Sequence, residues 1–285
     1  MKKKILIPTD FSKNAWNALT YALNLYKNET CTFYLLNAFQ LYHFTTDTLI
    51  VPQPGEPAYE KAKEYSEMGL EKLIDGIAFR SDNPHHKFEM ISTYSPVLEA
   101  VKQTVKEKDI DLIIMGTKGE TNPVNILYGS NAVNVMEKVK QCPVIVVPEE
   151  AVFLEETKKE IVFATNFKTY YRHNELAPLI ELAKHYGAAI RVLYIQQSDK
   201  LTPEQESNKE VLEDYLSNVV HTFHTLTNIK VAAGIHSFIE SRGSNLLGII
   251  HKKHGFFASI FAKSLIEEIG YKPQVPILVM HSIKA

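Results

Sequence analysis

The 285-residue sequence has only two cysteines, no excess of charge of either sign and no long apolar run, and each scarcity excludes something. Cys31 and Cys142 lie in or beside apolar runs that read as strands, so they are expected as buried thiols rather than a disulfide, which fits a reducing cytoplasm. A formal net charge of -2 gives no support to general nucleic-acid binding. The start MKKKILIPTDF is basic, but Pro8 and Asp10 interrupt its apolar stretch too early for an export signal, and no segment approaches membrane-spanning length. Signatures of chemistry are missing as well. IPTDFSKN supplies neither a His-x-Gly-His nor a Ser-Gly-Gly-x-Asp-Ser pattern for nucleotidyl transfer, and there is no Gly-x-x-x-x-Gly-Lys-Ser/Thr loop for fast hydrolysis.

What is present is one domain written twice. IPTDF at Ile7 to Phe11 recurs, weakened, as FATNF at Phe163 to Phe167, an offset of 156. DLIIM at 111–115 pairs with NLLGI at 245–249, and Gly129-Ser130 with Lys263-Ser264, both at an offset of 134. The second copy is therefore 22 residues shorter, and the non-periodic, proline-bearing stretch Tyr42 to Pro57 is the natural place for the difference, read as a long loop. The charged segment Pro148 to Glu160 reads as the linker, which puts the two domains at 1–150 and 158–285.

Each copy alternates short β-branched runs with amphipathic runs, the signature of a parallel sheet with crossover helices. The strands are KILIPT, TFYLLNAF, KFEMIS, DLIIMG and PVIVVP, then EIVFAT, AIRVLYI, VVHTFHTL, NLLGIIH and PILVMH. Helices are predicted over Pro96 to Lys108 (Val97, Leu98, Val101 and Val105 inward) and Ser130 to Lys140 (Val133, Met136 and Val139 inward). In the second copy they are predicted near Arg172 to Tyr186, Pro203 to Leu216, Val231 to Glu240 and Ala258 to Glu268. The fold class is α/β: two tandem open parallel five-stranded sheets with helices on both faces, Rossmann-like. The last strands, CPVIVVP and VPILVMH, are expected to cover each other's edges.

In such sheets a ligand binds at the carboxyl ends of the strands. The segment GTKGETNPVNILYGSN places Gly116, Gly119 and Gly129 there, directly after DLIIM and before Ser130. Backbone N–H groups of glycine turns and of a helix N-terminus form an anion site, with phosphate the obvious anion and Ser130 able to cap its helix and donate to a phosphate oxygen. Asp10 is an acceptor suited to ribose hydroxyls or, through a metal such as magnesium, to phosphates.

The spacing Gly116, two residues, Gly119, nine residues, Gly129-Ser130 closely resembles the nucleotide-binding motif of the universal stress protein family, and IPTDFS and CPVIVVP resemble its first and last strands. The resemblance covers residues 1–150 and, more loosely, 158–283. It implies an adenine nucleotide alpha hydrolase-like fold and ATP as ligand. The implied contacts are Pro8, Thr9 and Asp10 toward adenine and ribose, Ala38 on the adenine wall, Met115, Gly116, Thr117 and Gly119 at ribose and phosphates, and Gly129, Ser130 and Asn131 at phosphates. Lys118 stands where many members carry a basic or histidine residue; it either lies against a phosphate or is a solvated lysine. In the family, single-domain members dimerise through the last strand, so an intramolecular pseudo-dimer is expected here, with a further homodimer left open.

At the offset of 134 the second copy has Ile250, Lys253 and Lys263 in place of the three glycines, and Asn166 replaces Asp10. No nucleotide is expected there. His251 and His254, with His221, His224 and His236, invite a metal reading, but cysteine partners are absent and His221 and His224 face opposite sides of a strand, so solvated or capping roles are expected and no metal site is assigned. Lys252, Lys253 and Lys263 read as an alternative anion cluster, and Phe256, Phe257 and Phe261 as packing or a partner patch. The function implied is a cytoplasmic stress-response protein that binds ATP in its first domain and acts as sensor or adaptor toward an unidentified protein partner. A slow ATPase and a nucleotide-free interaction module are the alternatives.

Overall fold

The structure, a computed structural model, describes residues 2–40, 43–44, 49–50, 52–80, 82–119, 128–153, 159–168, 170–196, 200–251 and 275–281. The chain divides into two compact units, Met1–Cys142 and Pro143–Ala285.

The first unit runs β1 (Lys3–Pro8), α1 (Lys13–Leu25), β2 (Cys31–Phe39), β3 (His43–Phe44), β4 (Leu49–Ile50), α2 (Pro57–Arg80), β5 (His86–Tyr94), α3 (Val97–Lys108), β6 (Leu112–Gly116) and α4 (Ser130–Lys138). Its main sheet is parallel, in the order β6-β1-β2-β5. Ile5, Leu6, Ile7, Leu35, Ile113 and Ile114 are fully buried. Such continuous apolar runs are what a sheet covered on both faces requires, and each large side chain contributes about 1.5–3 kcal/mol. Ser12 starts α1 by accepting from the Ala15 amide at 3.2 Å, and Asp109 ends α3 in the left-handed region. The stretch expected as one long loop, Tyr42 to Pro57, contains a short antiparallel ladder between β3 and β4.

Two sequence expectations need correction here. In α4 the buried residues are Ala132, Val135 and Met136, while Val133 is half-buried, because the helix begins at Ser130 and ends at Lys138, with the buried Val139 just beyond it. Ser130 does not cap its helix: Gly129 holds the cap position, with no side chain to offer.

The second unit runs β7 (Val144–Val147), β8 (Glu160–Thr165), α5 (His173–Tyr186), β9 (Ala189–Ile195), α6 (Pro203–Leu216), β10 (His221–Leu226), α7 (Val231–Arg242), β11 (Leu246–His251) and β12 (Ile277–His281). Strands β10-β9-β8-β11-β12 are parallel, and β7 lies antiparallel on β12, with Val146 opposite Ile277 and Val144 opposite Val279. Ladder registers reproduce the sequence offsets: Ile5 pairs with Leu112, and their counterparts Ile161 and Leu246 pair likewise. The helix expected over Ala258 to Glu268 lies outside the described residues. Both cysteines are buried thiols outside any disulfide; burial pushes the Cys31 thiol up to about 12 and raises Cys142 as well.

Candidate functional site

Both repeats leave their first strand through the same turn. Thr9 Oγ1 accepts from the Phe11 amide at 3.1 Å, and Asp10 Oδ1 accepts from the Ser12 amide at 3.1 Å. In the second repeat Thr165 Oγ1 accepts from the Phe167 amide at 3.1 Å and Asn166 Oδ1 from the Lys168 amide at 3.0 Å. Short polar side chains bonding two residues ahead are what bend the backbone. Phe11 and Phe167 are consequently held in the left-handed region, at φ 66° and 55°. Non-glycine residues there cost about 1–3 kcal/mol and persist only where neighbours over-determine them.

Next to the first turn, at the carboxyl ends of β1, β2 and β6, is a cavity of about 410 Å³. Ten of the twelve residues singled out from the sequence line it: Pro8, Thr9, Asp10, Ala38, Met115, Gly116, Lys118, Gly119, Gly129 and Asn131. Thr117 and Ser130 do not. Thr117 is buried, and its carbonyl accepts from the Gly129 amide at 2.7 Å, tying the two ends of the glycine loop together. Ser130 is the exposed first residue of α4. The intervening residues 120–127 lie outside the described residues.

Sequence reasoning missed the residue that holds this loop. Asn14, in the first turn of α1, donates through Nδ2 to Thr117 Oγ1 and to the Lys118 carbonyl, both at 3.0 Å, across more than a hundred positions of chain. A Cβ at Gly116 would sit 2.9 Å from Asn14 Cγ, so the first glycine makes room for this clamp. Asn37, equally unforeseen, donates to the Thr9 carbonyl at 2.7 Å and fixes the turn to β2. Leu36, Tyr65, Val97 and Ala132 also line the cavity. Apart from the exposed Tyr65 they are apolar positions of ordinary strands and helices, and no local pattern marks them.

The arrangement is two-sided. Leu36, Ala38, Val97 and Met115 make an apolar wall, while Asp10, Lys118 and the N-terminus of α4 make the polar end. A helix start capped by glycine presents backbone N–H groups without a competing side chain, and its partial positive charge favours an anion. The residues therefore fit a molecule with a flat apolar ring at one end and negative charge at the other.

Among the described residues, the histidines of the second unit do not gather into one cluster. His221 bonds the Val219 carbonyl, His224 bonds Thr222 and packs on Phe238, and His236 pairs with Glu240. Burial, with Arg242 and Arg191 nearby, lowers the His224 pKa. His251 has His281 beside it, with ring centroids 5.6 Å apart. Among the described residues no group of three or more histidine, cysteine or carboxylate side chains converges. His254, Lys252, Lys253, Lys263, Phe256, Phe257 and Phe261 lie outside the described residues. Ile250, at the position of Gly116, is buried in β11.

Comparison with known proteins bears on the family and the fold. The chain is 31% identical over 159 residues to one universal stress protein of Methanocaldococcus jannaschii, covering 52% of this chain and 95% of the relative. It is 28% identical over 145 residues to a second from the same organism, covering 51% and 81%. A universal stress protein structure from Archaeoglobus fulgidus shares the fold over 97% of this chain and 95% of its own, with a TM-score of 0.69 at 18% identity. No helix among the described residues is long and apolar enough to cross a membrane. A profile described as the universal stress protein family matches residues 1–148, and with that match over half its length the chain belongs to the universal stress protein family.

Proposed function

We propose that the first unit binds one ATP in the cavity at the ends of β1, β2 and β6, and that the protein works in the cytoplasm as a stress-response sensor or adaptor whose activity is binding. The observation that carries this reading is the convergence of Pro8, Asp10, Ala38, Met115 and the three glycines, from four separate stretches of sequence, on one cavity. The adenine lies against Ala38, Leu36 and Met115. Asp10 accepts from the ribose hydroxyls or holds a magnesium ion toward the phosphates. Phosphate oxygens take the amides of Ser130 and Asn131 at the start of α4, the Gly129 amide being held by the Thr117 carbonyl, and Lys118 adds a point charge.

Isothermal titration tests it. Wild-type protein should bind one ATP per chain, and Gly129→Val, by keeping the phosphate off the start of α4, should remove about two charge-assisted hydrogen bonds of roughly 1.5–3 kcal/mol each, weakening binding a hundredfold or more. Lys263→Val, the matching change in the second repeat, should leave affinity unchanged. Two nucleotides per chain, or full affinity in Gly129→Val, would overturn the assignment.

A further inference from the structure

The second unit has a cavity of its own, about 220 Å³, on the α6 side of β8, β9 and β10 at their carboxyl ends. Its origin is a length difference. Helix α2 has 24 residues, and its early turns cover the equivalent face of the first unit: Tyr59 packs on Phe39 and Tyr94, Tyr65 on Phe11, and Ser66 bonds Ser92 at 2.7 Å. Helix α6 has 14 residues, and the turns that would do the same are missing. Among the described residues that face is less covered, and it is nevertheless built. Phe167, Tyr194 and Phe223 form an aromatic wall, with Phe167 centroids 5.2 Å from Tyr194 and 6.2 Å from Phe223. Asn208 Nδ2 donates to the Phe167 carbonyl at 2.8 Å and Gln205 Nε2 to the Asn166 carbonyl at 2.8 Å, locking α6 to the turn behind that wall. Thr202 and Gln205 close a capping box that fixes where α6 starts.

Two ammonium groups and His224 also line the cavity. Lys209 holds its Nζ 5.3 Å from the centre of the Phe223 ring, and Lys200 stands on the rim. Among the described residues that line the cavity there is no carboxylate. We propose that this cavity is a second binding site, separate from the nucleotide site, for a small aromatic anion: a single ring against Phe223 and Leu201, its carboxylate or phosphate toward Lys209 and Lys200, and Thr225 beside it to meet one further polar substituent. A preformed apolar wall with a few convergent polar groups is the general form of a small-molecule site, and the volume restricts the occupant to one ring and its substituent. A ring placed there shares the Lys209 ammonium with Phe223, so that charge serves both faces.

The test is heteronuclear NMR titration of the full chain with benzoate, phenyl phosphate, benzamide and acetate. At least one of the two aromatic anions should perturb resonances of Phe223, Thr225 and Lys209 saturably, at least about tenfold more tightly than either benzamide or acetate. Lys209→Met, which keeps the stem and removes the charge, should weaken the aromatic anion about tenfold or more, while the Thr225→Phe variant, with the cavity filled, should abolish its binding. ATP titration should be the same in wild type and both variants, which separates this site from the nucleotide reading. Equal binding of benzamide, indifference to Lys209→Met or to Thr225→Phe in variants that keep the wild-type circular dichroism, or no saturable shift with either anion would overturn the proposal.

Discussion

The two repeats tie the start of their first strand to the helix beside it with opposite chemistry. In the first, the Lys4 amide donates to Asp111 Oδ2 at 2.8 Å and the Lys4 ammonium donates to the Lys108 carbonyl at 2.7 Å, at the end of α3. In the second, the Glu160 amide donates to Asn245 Oδ1 at 2.9 Å, and the Glu160 carboxylate accepts from the Arg242 guanidinium at 2.8 and 2.9 Å, at the end of α7. Every member of one set lies at the position of its counterpart in the other, yet the charge on the strand is reversed. Backbone ladders fix where the tie must be; which partner donates is free to change. The tie of the second unit is also deeper, because Arg191 adds two further bonds to Glu160, at 2.6 and 2.8 Å, and both side chains are nearly buried.

That difference in depth is where substitution should separate the repeats most. Glu160→Ala leaves two guanidiniums, one of them buried, without their carboxylate, a loss of about 3–5 kcal/mol. Lys4→Ala removes one hydrogen bond to a helix end and should cost about 1 kcal/mol. Urea titration of both variants should lower the midpoint far more for Glu160→Ala. Similar shifts would mean that the two ties are equivalent despite their burial.

A second contrast concerns glycines in corresponding strands, Gly116 in β6 and Gly248 in β11. Gly116→Val drives a side chain into Asn14, and Asn14→Ala removes the clamp itself; either should loosen the glycine loop, weaken ATP about tenfold and cost about 1–3 kcal/mol of stability. Gly248→Ala in β11 presses closely on the tip of Leu179 at 3.2 Å, with Phe163 and the Val162 carbonyl at ordinary contact distance, and should leave ATP affinity alone. Isothermal titration and thermal melts on the three variants check this, and undiminished ATP binding in Asn14→Ala would show that the loop keeps its shape without α1.

The smallest effect is one of pH. Hydrogen bonds from Arg242, then Arg191, hold the Glu160 carboxyl down to about 2 against the burial that raises it. A folded-state value below the ordinary 4.5 means its contribution is complete above pH 4.5 and is lost as the pH falls toward 2. Over that window the urea midpoint of wild type should fall more steeply than that of Glu160→Gln. Parallel slopes would assign the acid sensitivity to other carboxylates.

Strands were the legible part of this fold. EIVFAT and AIRVLYI correspond residue for residue to β8 and β9, because runs buried on both faces stay almost continuously apolar, and their two charged residues, Glu160 and Arg191, are paired with each other. Helix α2 was not legible: only Ser66, Leu70, Leu73 and Ile77 are buried among its many charged residues, so its stripe is thin and its early turns merge with the loop before it. The missing length in the second repeat was visible in the offsets, but a gap does not say whether loop or helix was lost. At the candidate site, glycines and turn residues carried a local signature. Asn14 carried none, since its partners lie at Thr117 and Lys118 and only the folded chain brings them together.

The antiparallel pairing of β7 with β12 has a consequence for the order of events at the ribosome. Val144–Val147 is synthesised well before Ile277–His281, and at about 5–20 residues per second the interval is on the order of ten seconds. Throughout that time the β12-facing edge of a nascent VIVV segment has no native partner, and an uncovered strand of that composition invites pairing with other chains. Polysomes carrying many copies of this chain would bring such edges close together. The emergence of β12 is thus what ends the exposure, and protection of β7 becomes a matter of translation speed as much as of stability.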